Sequence, residues 1–399
     1  MKKFILLVVI FIVATFFVIG NKKEIDAEKK NISIVDKKEI RAVYISYIEL
    51  DDYIKEKDEK TSKNNIISMI KNVKDNNFNT IILHVRPFSD AIYRSLIFPI
   101  SNSVLNNENK APNYDVLNFF IKEAHKNNIS LHAWINPYRI SHNTDIKRIS
   151  KKSPAYKFIN TSNIKVIKGK GIFYNPASVE VRNLIIKGIK ELVENYDIDG
   201  VHFDDYFYPD KTIDLDNYQV YLAAGGNMSL DEYRLDNVTN LIKDIYSEIK
   251  SIKKNVKFGI APEGNIDNNY SINYIDTKKI LANSGYVDYI MPQVYFGFLN
   301  ETRPFLDTVA MWNDLIKIDN ITLIPALALY KSGTKDIYAK GGINEWVQRS
   351  DIIKRQVLVS RNLNKYGGFS IFSYNYLFNK NKLNKSLIEE FDNLVDILK

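Results

Sequence analysis

Apolar runs of strand length alternate with stretches of helical spacing along almost the whole chain. The predicted strands are Arg41–Ser46, Thr80–Arg86, Ser130–Asn136, Gly200–Asp205, Lys257–Glu263, Val287–Tyr295, Ile321–Leu329 and Gly367–Tyr374. Most are β-branched or apolar, as buried strands require. Predicted helices lie between them, at Lys63–Asn76, Val116–Asn127, Val179–Tyr196, Leu230–Lys254, Thr277–Asn283, Phe305–Lys317 and Glu345–Leu363, with Lys385–Leu398 closing the chain. In the third of these, Val179, Arg182, Ile185, Ile186, Ile189 and Val193 repeat with helical spacing.

Eight strand–helix units in order predict an α/β fold, a parallel (β/α)8 TIM barrel spanning residues 39–399. The rival is an open doubly wound sheet. It usually needs fewer strands and often a Gly-rich phosphate turn, and no such turn follows the first strand. Two connections exceed ordinary loop length. Pro137–Ser178, after the third strand, should build a cleft wall. Tyr208–Ser229, with Gly225-Gly226-Asn227, should be a second excursion after the fourth.

The N-terminus differs in kind. Lys2 and Lys3 precede an unbroken apolar run from Phe4 to Gly20. A positive start followed by a hydrophobic segment marks 1–20 as a signal peptide or an uncleaved signal anchor. Its length lies between a typical signal core and a comfortable membrane span. Residues 21–38 are rich in Lys, Glu and Asp and read as a tether. Either reading places the remainder outside the cytoplasm, with membrane contact only through the N-terminal segment.

Composition narrows the chemistry. The 399 residues include no cysteine, which excludes disulfides, thiolate chemistry and a cysteine-linked lipid anchor. The net charge of +8 is spread over predicted helix faces with no compact Arg-rich block. That is a solvated surface, and no nucleic-acid partner is expected. No cofactor is expected either. The 25 tyrosines and 21 phenylalanines suit a core and also a sugar-handling surface.

In a barrel of this type, functional groups gather at the C-terminal ends of strands. Polar residues concentrate there. The second strand ends His84-Val85-Arg86, the third Trp134-Ile135-Asn136-Pro137-Tyr138, and the fourth His202-Phe203-Asp204-Asp205-Tyr206. The fifth ends Glu263-Gly264-Asn265, and the sixth Gln293-Val294-Tyr295-Phe296. By strand alternation His202, Asp204 and Tyr206 share the inward face, as do His132, Trp134 and Asn136, and His84 with Arg86.

Glycoside hydrolysis needs an acid to protonate the leaving oxygen and usually a second carboxylate. Asp204 or Asp205 can supply the first and Glu263, on the adjacent strand, the second; capping or solvated roles compete for each. Arg86 is expected to pair with Asp204 and tune it, or to form a purely structural bridge. Asn136, Asn265 and Gln293 suit sugar hydroxyls. Trp134, Tyr138, Tyr206, Tyr295 and Phe296 suit stacking on pyranose rings. His84, His132 and His202 with Asp204 could in principle ligate a metal, but each lies well before its strand's end and no H-x-H pair occurs. Hydrogen-bonded barrel histidines are the preferred reading.

Taken in order, several motifs resemble the glycosyl-hydrolase-like 10 family. They are Glu39-Ile40-Arg41-Ala42-Val43-Tyr44, His84-Val85-Arg86-Pro87, Asp90-Ala91-Ile92-Tyr93-Arg94-Ser95, and His132-Ala133-Trp134-Ile135-Asn136-Pro137-Tyr138-Arg139. The sharpest is Tyr196-Asp197-Ile198-Asp199-Gly200-Val201-His202-Phe203-Asp204-Asp205-Tyr206-Phe207-Tyr208-Pro209, and Asp288 to Tyr295 fits the sixth strand. The resemblance implies a (β/α)8 barrel, glycan hydrolysis and, for envelope members, a cell-wall polysaccharide partner. It implies a cleft around Asp204 and its neighbours, and His132 and His202 are also expected to contact substrate. It departs at Glu263, where relatives often carry an aromatic or small residue. If Glu263 is idle, Asp205 or a loop acid such as Asp90 must serve, or the mechanism uses a substrate group.

Overall fold

The computed structural model describes residues 39–106, 112–204 and 207–399. The expectations for 1–20 and 21–38, and those for Asp205 and Tyr206, lie outside the described residues.

The predicted barrel is present. Its strands are Ile40–Ile45, Thr80–Arg86, Ser130–Ile135, Gly200–Phe203, Lys257–Ile260, Tyr289–Ile290, Thr322–Leu323 continued by Ala326–Leu327, and Gly368–Ile371. Each neighbours the next in parallel register, and the first pairs with the eighth through Ile40↔Gly368. Closure depends on the seventh. Its first half pairs with the sixth strand (Thr322↔Tyr289) and its second half with the eighth (Ala326↔Ser370). Pro325 separates the halves, because it cannot donate to a ladder. Its carbonyl still accepts from Ser370 N at 3.0 Å.

Helices surround this ring with apolar stripes turned inward. Leu230–Ile252 starts in a capping box between Ser229 and Glu232 and buries Leu235, Val238, Leu241, Ile242, Ile245 and Ile249. A cap of this type contributes about 1 kcal/mol. Val179–Asn195, capped by Ser178, buries Val181, Leu184, Ile185, Ile189 and Leu192. The predicted helix Glu345–Leu363 is instead two, Glu345–Gln348 and Ile352–Ser360. Arg349 turns to extended backbone and pairs with Asp351 at 2.7 Å, so the chain breaks between them.

Both long connections are structured. Within Pro137–Ser178, strands Arg139–Ser141, Gly171–Tyr174 and Ile164–Ile167 form a separate antiparallel sheet. Gly171 sits at φ +131, where a Cβ would lie 2.1 Å from Ser141 O, so no other residue fits. The second excursion carries the helix Leu215–Ala223, none of whose residues is buried. It is fastened below by Asp214, fully buried, which accepts from Arg234 Nε and Nη2 at 2.9 Å each and from Tyr208 Oη at 2.5 Å.

Candidate active site

The fourth barrel strand positions the central acid. Val201 and Phe203 pack outward into the main core, so His202 and Asp204 turn inward. Asp204 stands just past the strand's last residue, at the C-terminal mouth. It is 4% exposed, and its Oδ2 accepts from Trp134 Nε1 at 3.0 Å and Asn136 Nδ2 at 3.4 Å. Both donors come from the inward face of the third strand. N–H donors of this type favour the charged carboxylate. Asn136 is itself oriented, since its Oδ1 accepts from Arg139 N at 3.0 Å.

Glu263 lies three residues past the end of the neighbouring strand. Ala261, opposite Asp204, faces the barrel interior, and Glu263 shares its parity. Adjacent strands and a two-residue step separate the two acidic Cα atoms by about 8 Å. Glu263 is half-buried, accepts from Asn268 Nδ2 at 3.0 Å and bridges in parallel to Gln293. Gln293 donates to Ala261 O at 3.1 Å, which holds the fifth and sixth strands in register at the rim.

On the far side of the mouth, partly exposed rings gather. Tyr295 meets Tyr330 and Phe372 with centroids 5.9 and 6.2 Å away, and Tyr330 continues to Tyr376 at 5.8 Å. Tyr295 was expected here; Tyr330, Phe372 and Tyr376 were not. Their signal was available, since Phe372 directly follows the eighth strand and Tyr330 comes three residues after the seventh. Phe296 packs partly buried against the main core instead of joining this wall.

Several expected positions take other roles. Arg86 does not meet Asp204. The ladder shifts register between His84 and Arg86, which turns Arg86 out toward the helices. Its guanidinium lies over Phe98 at 4.1 Å and beside Gly188. Tyr138 is buried in the outer core and supports the wall. Asn265 spends its Oδ1 on Asp267 N and Asn268 N as a helix cap. Trp134 is 7% exposed and offers little surface to a sugar. His84 stacks on it at 3.7 Å and 9°, and Tyr44 meets it edge-on at 5.3 Å.

His132 and His202 belong to the barrel interior. His132 Nδ1 and His202 Nδ1 flank Tyr289 Oη at 2.9 and 3.1 Å, and His202 Nε2 lies 2.9 Å from Tyr44 Oη. Tyr44 Oη also donates to Met291 Sδ at 3.0 Å. One proton arrangement satisfies the whole chain: His132 to Tyr289, Tyr289 to His202, His202 to Tyr44, Tyr44 to sulfur. Burial keeps both imidazoles neutral, pushing His132 down to about 4 and holding His202 well below its usual range. His132 lines a cavity of about 1020 Å³ at the N-terminal mouth, away from Asp204. Among the described residues, no group of three or more His, Asp or Glu side chains converges as a metal site.

Asp90 follows the second strand in a side cavity of about 280 Å³, with Tyr47, Phe88 and His142. Burial pushes its carboxyl up to about 6. Phe88 contacts Tyr47 at 5.4 Å, and Tyr47 contacts His84 at 5.8 Å, so rings connect this cavity to the mouth.

The comparisons agree with this architecture. The model of the glycosyl hydrolase-like 10 family matches residues 39–339. Glycosyl hydrolase YngK of Bacillus subtilis is 34% identical over 369 residues, covering 87% of this chain and 70% of that one. Glycosyl hydrolase DigH of Escherichia coli K12 is 30% identical over 326 residues, covering 75% and 72%. Among solved structures, the PgaB (BpsB) glycoside hydrolase domain of Bordetella bronchiseptica superposes with a TM-score of 0.57 at 13% identity, covering 90% of this chain and 99% of that one. The β-amylase catalytic domain of Paenibacillus polymyxa gives 0.53 at 10% identity, covering 92% and 100%. These two share the fold alone. With its (β/α)8 barrel and motifs matched from Glu39 onward, the chain belongs to the glycosyl hydrolase-like 10 family.

Proposed function

We propose that the protein hydrolyses glycosidic bonds of an envelope polysaccharide, the glycan strands of peptidoglycan, from a position outside the cytoplasm. The observation that carries the reading is the pair Asp204 and Glu263 on adjacent strands at the C-terminal mouth. Asp204 is held by two N–H donors, and Glu263 stands three residues past the end of the neighbouring strand.

Their unlike surroundings divide the labour. Asp204, buried and fed by Trp134 and Asn136, serves as the charged partner beneath the sugar ring and supports the oxocarbenium-like transition state. Glu263 is half-buried at the rim, where a leaving oxygen would emerge, and it delivers the proton. Asp205, directly after Asp204 in sequence, is the alternative donor. The wall of Tyr295, Tyr330 and Phe372 gives flat apolar faces to pyranose rings. Support for the envelope comes from the apolar run 4–20 and the charged stretch 21–38.

Reducing-end release from purified glycan strands, with and without stem peptides, tests the reading. Wild type should release new ends and Asp204→Asn should not, with the fold intact by circular dichroism. Binding of strands without release by either protein would make it a glycan-binding barrel instead.

A further inference from the structure

His84 is a polar side chain of the mouth that this mechanism does not use. It is 3% exposed, on the inward face of the second strand, and neither Nδ1 nor Nε2 has a hydrogen-bond partner. Each other histidine of the barrel interior is satisfied by a tyrosine hydroxyl. A buried imidazole with two idle nitrogens weakens a fold, because water satisfied both in the unfolded chain. Carbon would serve the stack on Trp134 equally well, since that contact is ring on ring at 3.7 Å.

The backbone next to it is also unusual. The ladder irregularity begins directly after His84 and turns Arg86 away, leaving His84 as the last inward side chain of the second strand. Irregularities of this type re-aim side chains beside active sites. The indole under His84 is the same one that donates to Asp204, so one rigid ring separates imidazole from carboxylate. Burial, then the charge of Arg139, holds the imidazole well below its usual range, so it is neutral. A neutral imidazole offers one donor and one acceptor, which matches sugar hydroxyls and not a charged group.

We propose that His84 is a substrate contact: its ring nitrogens take hydroxyl groups of the sugar unit seated over Asp204, with Trp134 fixing the spacing between the two. Tyr47, whose ring centroid lies 5.8 Å from that of His84, is the side chain that must yield for the sugar to arrive. The proposal rests on the hydrolase reading for its choice of polymer.

His84→Phe tests it, because it preserves the stack and removes only the nitrogens. The melting temperature should hold or rise, while kcat/KM for reducing-end release falls at least 30-fold. His84→Gln, which restores a donor and an acceptor, should recover part of that loss. A His84→Phe enzyme within threefold of wild type, or a His84→Gln enzyme no better than His84→Phe, would overturn the proposal. Calorimetric titration with peptide-free glycan strands supplies a second arm. In an Asp204→Asn background, His84→Phe should weaken binding at least tenfold. If wild type releases nothing yet binding depends on His84, the hydrolase reading falls and the contact stands. If wild type is active and neither rate nor binding responds to His84, the contact falls and the hydrolase stands. Strands that bind to neither protein remove both.

Discussion

Trp134 hands its indole N–H to Asp204 Oδ2 at 3.0 Å while both its ring and its edge are covered by His84 and Tyr44. An aromatic side chain at the C-terminal mouth is thus committed to holding an acid. Trp134→Phe should keep the ring contacts and lose the donor. A charge-assisted hydrogen bond used in the transition state corresponds to roughly 10–100-fold in rate. We expect kcat to fall by that factor with KM little changed. Steady-state kinetics on glycan strands decide it; a change confined to KM would mean that Trp134 only shapes binding.

Glu263 makes a separable prediction. If it donates the proton, Glu263→Gln should lower the rate on natural linkages by about 10²–10⁴-fold. An aryl glycoside with a good leaving group needs little protonation and should be hydrolysed almost normally. Equal damage to both substrates would assign the donor elsewhere, with Asp205 first.

The excursion after the fourth strand is held by one buried ion pair. Asp214 is fully buried and Arg234 is 2% exposed, joined by two contacts of 2.9 Å. Removing one partner strands the other charge, at a cost of about 3–5 kcal/mol. Asp214→Ala should therefore lower the denaturation midpoint markedly, and Asp214→Ala with Arg234→Met should recover part of it. Chemical unfolding measures both. A neutral Asp214→Ala would show that the excursion is secured by its aromatic contacts instead.

Glu390 predicts a pH dependence. It is fully buried, and its Oε1 accepts from Ile353 N at 2.5 Å at the start of the helix Ile352–Ser360. Burial outweighs the amide donors and pushes the carboxyl from 4.5 up to about 7. The unfolded chain ionises it more readily than the folded one. Its contribution is therefore complete below pH 4.5 and fades as pH rises toward 7, a change of roughly 3 kcal/mol by linkage. Glu390→Gln should flatten stability across that window and be the more stable protein at pH 7.5. Scanning calorimetry from pH 4 to 8 checks this; parallel curves for the two proteins would place the titration at another group.

Much of this was legible from pattern alone. Alternation in the fourth strand assigned Asp204 and His202 inward, because Val201 and Phe203 had to face the helices. The same rule misassigned Arg86, since a single ladder irregularity after His84 inverts parity and leaves no mark in residue types. Depth was the other blind spot. His132 and Trp134 share a face, yet two residues separate the N-terminal cavity from the C-terminal mouth. Tyr44 and Tyr330 escaped notice because partners of a side chain are set by neighbouring strands far away in sequence. Asn265, by contrast, reads as a cap once the short helix Ile266–Ser271 is known.

The antiparallel sheet inserted between the third and fourth strands has a consequence for how such a protein can change. Its strands hydrogen-bond chiefly to one another, and both ends of the insert return to the barrel at neighbouring strands. Its outline can therefore be recast without disturbing the ring that holds Asp204, much as a jaw can be refitted on a fixed vice. A change of outline there would alter the wall beside the C-terminal mouth and leave the strands that carry Asp204 and Trp134 as they are.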